Sequence, residues 1–158
     1  MRFFLIDKVT ELQVGALIRG VKAVTLTDEV LHDHFPDHPV LPGTLIVEAA
    51  AQLAGYLLEA TYHRPPEPPR RAVLAQIERA RFDEAVGPGE CLELTCQIVA
   101  SLDGAARVRG EVRSGGRRVA RLTLMFVMRV VESARVHEQR RYLYQLWTRG
   151  LRPAPPIP

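Results

Sequence analysis

Cysteine is scarce: the chain has two, Cys91 and Cys96, five residues apart in a run that alternates like a strand. An odd separation sends them to opposite faces of such a strand, which argues against a bridge between them. With no disulfide framework and no CxxC pair, a reducing cytoplasmic setting is expected. Aromatic residues make up 6% of the chain. They are too few, and too seldom interleaved with the arginines, to suggest a nucleic-acid platform. Every apolar run is far shorter than a bilayer span, and Arg2 is soon followed by Asp7 and Lys8. Neither a secretory signal nor a membrane helix is therefore expected.

What remains is the composition of a globular domain. The 158 residues are 47% hydrophobic and 25% charged, enough for one core without covalent staples. Charge is divided unevenly. Residues 1–60 carry 4 Lys/Arg against 8 Asp/Glu, a net −4, and residues 61–158 carry 17 against 10, a net +7. All of the later cations are arginine. Such a field can steer an acidic partner, although a solvated arginine-rich sheet face has the same composition.

The pattern along the chain is strand, helix, strands. Residues 16–27, ALIRGVKAVTLT, are β-rich. Pro36, Pro39 and Pro42 then recur at every third position and force a stiff loop. From Thr44 to about Ala60 the pattern is helical, with Pro42-Gly43 as its start signal. TYHRPPEPPR, residues 61–70, is a proline-rich connector. In CLELTCQIVAS, Leu92, Leu94, Cys96 and Ile98 share one face, and Asp103-Gly104 and Ser114-Gly115-Gly116 are hairpin signals. This order predicts an α+β fold with an antiparallel meander. Leu45, Ile46, Val47, Ala49, Ala50, Ala51, Leu53 and Ala54 cover nearly every side of the helix, which predicts burial all round by a sheet curled about it.

Two features of residues 32–55, HDHFPDHPVLPGTLIVEAAAQLAG, call for chemistry. His32, His34, Asp37 and His38 are metal-ligand types, and one residue fewer would give the spacing of metallo-β-lactamase-like hydrolases. The spacing is nevertheless wrong, Pro36 stiffens its middle, and only His63 and His137 remain to complete a site, so no metal is expected. The second feature is Glu48, an acid in an apolar helix with no cation within a turn and Gln52 at i+4 to hold its carboxyl. Burying an ionised carboxylate alone is costly, so such an acid is protonated, satisfied by a partner subunit's backbone, or kept for general-acid work.

HFPDHPVLPGTLIVEAAAQLAG resembles the motif region of the 3-hydroxyacyl-acyl-carrier-protein dehydratases of type II fatty acid synthesis, FabZ-like hotdog proteins with a motif close to HFPGHPVMPGVLIIEALAQ. RFFLIDKVTEL and IERARFDEAVGPGECLEL resemble that family's flanks in the same order, from about residue 3 to 130. The resemblance implies an antiparallel sheet wrapped around one long central helix. It puts the catalytic base on His34, the catalytic acid on Glu48, and the thioester-polarising N–H on Gly43, with Phe35, Val40 and Gln52 as further substrate-binding residues. Glutamate at position 48, where a related branch has aspartate, implies dehydration without isomerisation. No cofactor is implied. The partner is acyl carrier protein, and the site is shared across a homodimer or a trimer of dimers.

This chain departs from the motif at Asp33 and Asp37, which replace glycines and would favour a charged His34 where they point at it. FDEAV is acidic where the family is usually basic. Arg70, Arg71, Arg79 and Arg81 are the candidate contacts for an acidic carrier. Residues 1–131 are read as the hotdog domain and 132–158 as an extension. In that extension Glu132 to Trp147 predict an amphipathic helix with Val136, Leu143 and Trp147 on one stripe, ended by Gly150 and a proline tail. Two other functions fit the same fold: a thioesterase, and a catalytically silent carrier-binding subunit. The HFP loop and the pairing of His34 with Glu48 favour dehydration over both.

Overall fold

The computed structural model describes residues 3–102 and 104–158. Two short strands, β1 (Lys8–Gln13) and β2 (Leu17–Ala23), are followed by a single helical turn, α1 (Val30–Asp33), and the long helix α2 (Gly43–Tyr62). Four longer strands come next: β3 (Arg70–Phe82), β4 (Cys91–Leu102), β5 (Ala105–Ser114) and β6 (Arg117–Val130). A last helix, α3 (Ala134–Trp147), ends the ordered elements. The strands form one antiparallel sheet in the order β1-β2-β4-β5-β6-β3. This is the expected α+β architecture with a C-terminal helix. Among the described residues no helix is long and apolar enough to cross a membrane.

Local chemistry accounts for the elements. In β4, Leu92, Leu94 and Cys96 are fully buried while Cys91, Glu93 and Gln97 face outward, the period of two that the sequence shows. Burial pushes the Cys96 thiol up to about 12, so it stays a neutral core group whose Sγ donates to the Ala50 carbonyl. Gly115 and Gly116 make the β5–β6 turn with φ of 54° and 79°, a pair of left-handed residues that glycine adopts without strain. The other hairpin signal rests partly on Asp103, which lies outside the described residues.

Helix α2 packs against every strand from β2 to β6. Leu53, Leu57 and Leu58 are wholly enclosed, and burying a leucine side chain contributes roughly 1.5–3 kcal/mol. Burial is not uniform, which corrects the expectation from composition. Residues 53–60 are buried on every side, but Gly43, Leu45, Glu48 and Gln52 are only half-buried and Thr44 is exposed. The sheet covers one side of the N-terminal half, and among the described residues no second sheet covers the other.

Strand β3 lies at the sheet's edge, outside β6. It is thirteen residues long and leaves Val73, Ile77 and Phe82 between 45% and 48% exposed. A long edge strand with apolar side chains and unpaired backbone groups is a surface built to be covered.

Helix α3 starts with Ser133 as N-cap, its side chain accepting from the Val136 N–H. Leu143 and Trp147 are buried and Val136 half-buried, as the stripe predicts. Tyr144, which the stripe omitted, is the most enclosed of all, stacked on Tyr56 with ring centroids 4.1 Å apart. The proline tail is docked too, since the Tyr56 hydroxyl donates to the Pro156 carbonyl at 3.1 Å.

Candidate active site

His34 follows the last residue of α1 and opens a tight loop. Phe35 and His38 exchange backbone hydrogen bonds of 3.1 and 3.0 Å around Pro36-Asp37, and the Val40 N–H donates to the His34 carbonyl at 2.8 Å. The His34 ring is fixed in turn, with Nδ1 2.7 Å from the Val40 carbonyl oxygen. A carbonyl can only accept, so Nδ1 carries a proton, and in the neutral ring the lone pair is on Nε2. Phe35, largely exposed, stacks on the imidazole at 4.3 Å and 26°. The Val40 backbone is thus committed to holding His34 at two points. Asp33 and Asp37 are both exposed, and neither bonds to His34 among the described residues. His32 sits within α1 and His38 beyond the turn; among the described residues no three His, Cys, Asp or Glu side chains form a group able to share an ion.

The loop leads into α2 at Gly43. The Pro42 carbonyl accepts from the Leu45 and Ile46 N–H groups, while those of Gly43 and Thr44 meet no acceptor among the described residues. They are the orphan donors at the positive end of the helix, a ready site for a growing negative charge. A Cβ at Gly43 would stand 2.9 Å from the Phe82 ring, so any larger residue would have to push that exposed ring aside where β3 ends against the helix start. Sequence reasoning missed Phe82; nothing in IERARF marks it as a neighbour of Gly43.

Glu48 lies one and a half turns further on. Its Oε1 accepts from Gln52 Nε2 at 2.9 Å, and among the described residues it has no other hydrogen bond and no ion pair. The amide of Gln52 is fully engaged. Its Nε2 also donates to the Phe3 carbonyl at 3.1 Å, and its Oε1 accepts from the Leu5 N–H at 3.0 Å. Gln52 therefore ties Glu48 to the N-terminal segment and has no N–H left for a ligand. Within one chain no bond or ion pair joins His34 to Glu48 among the described residues.

A pocket of about 460 Å³ opens beside Glu48 and Gln52. Its far wall is α3, through Val136, Gln139, Arg140 and Leu143.

The candidate docking arginines fare differently. Arg71 is only 4% exposed, paired with Glu59 at 2.6 Å, and cannot meet a carrier; this corrects the sequence expectation. A proline-rich connector suggested surface, but β3 begins there by turning Arg71 inward. Arg70 pairs with Glu67 at 3.8 Å. Arg81, Arg118 and Arg121 converge on Asp83 of the acidic FDEAV segment. Desolvation raises the Asp83 carboxyl, but the bonds from Arg118, Arg121 and Arg81 outweigh it and hold the group below its usual range. Arg79 has no ion pair among the described residues and lines a groove of about 170 Å³ with Arg81, Arg109 and Arg121.

Known proteins resemble this chain in sequence and in fold. The profile of the FabA-like domain matches residues 1–123. The 3-hydroxyacyl-[acyl-carrier-protein] dehydratase FabZ of Thiobacillus denitrificans is 42% identical over 127 residues, covering 80% of this chain and 88% of that protein. The enzyme of the same name from Halalkalibacterium halodurans is 38% identical over 127 residues, 80% and 89% of the two chains. Among solved structures, the dehydratase heterocomplex ApeI:P from Xenorhabdus doucetiae superposes with a TM-score of 0.66 at 17% identity, covering 87% of this chain and 90% of that one. A hot-dog-like protein from Thermanaerovibrio acidaminovorans gives 0.62 at 17%, covering 84% and 92%. At these identities the structures speak for the fold alone.

Proposed function

This chain belongs to the FabA-like family, and we propose that His34 and Glu48 are the base and acid with which it dehydrates its substrate. The reaction is that of its FabZ relatives: a hydro-lyase converts a 3-hydroxyacyl thioester on acyl carrier protein to the 2-enoyl thioester in fatty acid biosynthesis. The observation that carries the role of His34 is its Nδ1 bond to the Val40 carbonyl, which leaves Nε2 as an oriented proton acceptor.

The chemistry follows from the groups in place. Nε2 of His34 removes a proton from C2, and the electron pair of that C–H bond becomes the C2–C3 double bond. The C3–O bond breaks as the Glu48 carboxyl gives its proton to the departing hydroxyl, which leaves as water. Charge that grows on the thioester oxygen meets the Gly43 N–H and the positive end of α2. The cycle closes when His34 loses its proton and Glu48 regains one through solvent. Among the described residues no bond joins the two within a chain, and β3 presents an uncovered apolar edge. Both facts favour a homodimer in which each site takes His34 from one subunit and Glu48 from the other. A trimer of such dimers leaves this sharing unaltered. The uncommitted Arg79 and its groove are where an acidic carrier protein would dock.

The test is to follow hydration of crotonyl thioesters by absorbance, on acyl carrier protein and on coenzyme A, in wild type and in His34→Ala and Glu48→Ala. Dehydratase activity lost in both variants is expected. Release of free thiol in place of hydration would make the protein a thioesterase, and wild-type silence on every thioester would make it a non-catalytic carrier-binding subunit.

A further inference from the structure

Helix α3 lies beyond residues 1–123, where the FabA-like profile matches, yet it builds one wall of the pocket beside Glu48. It is rigidly held there. Tyr144 Oη donates to Glu59 Oε2 at 2.7 Å, Arg71 Nη1 reaches the same oxygen at 2.6 Å, and Arg71 Nη2 lies 2.8 Å from His137 Nδ1. Glu59, Arg71 and Tyr144 are all buried. A helix anchored by such a cluster presents its pocket face in one fixed position.

On that face stand Gln139 and Arg140. Neither makes a hydrogen bond or an ion pair among the described residues, whereas most arginines of this chain are committed to carboxylates or carbonyls. Gln52, the other amide of the pocket, has no N–H to spare. Arg140 is the one cation among the residues that line the pocket, and Gln139 and Arg140 supply its free donors. Apolar walls from Val136 and Leu143 lower the local dielectric and strengthen any such bond.

We propose that Gln139 and Arg140 are specificity-determining residues, binding an anionic or hydrogen-bond-accepting group of the thioester away from its reacting carbons. This rests on the dehydratase reading of Glu48. Two parts of the substrate carry that chemistry: the phosphate and amides of the pantetheine arm, and a polar or carboxylate end on the acyl chain.

The experiment uses the full chain as wild type, Gln139→Leu, Arg140→Leu and Arg140→Lys. Substrates are 3-hydroxyacyl thioesters of 4′-phosphopantetheine and of N-acetylcysteamine, each with a methyl or a carboxylate at the acyl terminus. Arg140→Leu should raise KM about tenfold or more for thioesters bearing the recognised group, with no comparable rise for those lacking it. Gln139→Leu should do so more weakly, and Arg140→Lys should restore part of the loss. A penalty confined to phosphopantetheine thioesters assigns the arm, and one confined to carboxylate-ended chains assigns the acyl terminus. Equal KM values across all substrates overturn the proposal, as does a fall in kcat shared by all of them. Calorimetric binding of the saturated, unreactive thioesters reads the same contact without turnover. Arg140-dependent binding in a protein that dehydrates nothing would sink the dehydratase reading and leave this inference standing. Dehydration with no Arg140 dependence would do the reverse.

Discussion

Helix α2 carries two glutamates three turns apart, and their surroundings are opposite. Glu59 is 1% exposed, and its carboxylate collects Arg71, the Tyr144 hydroxyl and, at 3.2 Å, the Ala72 N–H. Burial, and after it the Glu59 charge, pushes the Tyr144 hydroxyl well above its ordinary range, so it remains a donor. Glu48 is half-buried, held by one amide, and faces open space. The difference separates two uses of a buried acid. A carboxylate with both oxygens bonded joins elements together, here α2, β3 and α3. A carboxylate with one orienting bond and a free oxygen is positioned to exchange a proton.

The largest effect should come from separating the partners of the proposed site. His34→Ala and Glu48→Ala should each lower turnover by about 10²–10⁴-fold. Equal mixing of the two mutants under subunit exchange makes half the dimers mixed, each with one intact site, so activity should return to roughly a quarter of wild type. Activity that stays at the parental level, with exchange shown independently, rejects a site shared between subunits.

The same substitution at both glutamates sharpens the contrast next. Glu59→Gln leaves Arg71 buried without its anion and should destabilise by about 3–5 kcal/mol. Glu48→Gln keeps an oxygen that can accept from Gln52 at a half-open position and should cost at most about 1 kcal/mol, while abolishing most activity. Denaturant melts of both variants decide it; equal losses of stability would make Glu48 as structural as Glu59.

Gln52→Leu is a smaller perturbation. It releases Glu48 and cuts the ties to Phe3 and Leu5. Misplacing an acid by about 1 Å can cost about a hundredfold, so kcat should fall tenfold to a hundredfold with the folded state preserved by circular dichroism. Unchanged kcat would show that Glu48 needs no orienting partner.

The smallest effect concerns a carboxylate far from both. The Gly87 N–H, with help from Ser114 and Arg117, holds the Glu90 carboxyl below its usual range. A folded-state value lower than the unfolded one contributes stability that is present above the ordinary carboxylate range and lost as pH falls through the depressed value. Glu90→Gln should therefore lower Tm by a few degrees at neutral pH, and the gap to wild type should close in acid. A gap that stays constant through acid titration would mean that Glu90 acts by shape alone.

Much of this was legible in one dimension, because local periodicity and turn chemistry are local properties. The alternation of β4, the Gly115-Gly116 turn, the start of α2 at Pro42-Gly43 and the stripe of α3 all appear as written. So does Glu48 with Gln52 at i+4, since a helix sets that spacing by itself. What the residues alone left open were contacts between segments distant in sequence. Arg71 looked like a docking cation and proved to be an internal one, because its partners Glu59 and His137 lie on other elements. Phe82 meets Gly43 across thirty-nine positions. Charged and aromatic residues read alike whether they face water or a partner, and only packing distinguishes them. The amino-acid sequence thus determined which elements form and which acid and histidine stand out, through spacing and backbone preference. Tertiary structure alone decided which glutamate is satisfied, that β3 is left as an uncovered edge, and that α3 walls the pocket at Glu48. Those outcomes depend on which surfaces meet, and each meeting is settled by the burial and pairing of residues far apart in the chain.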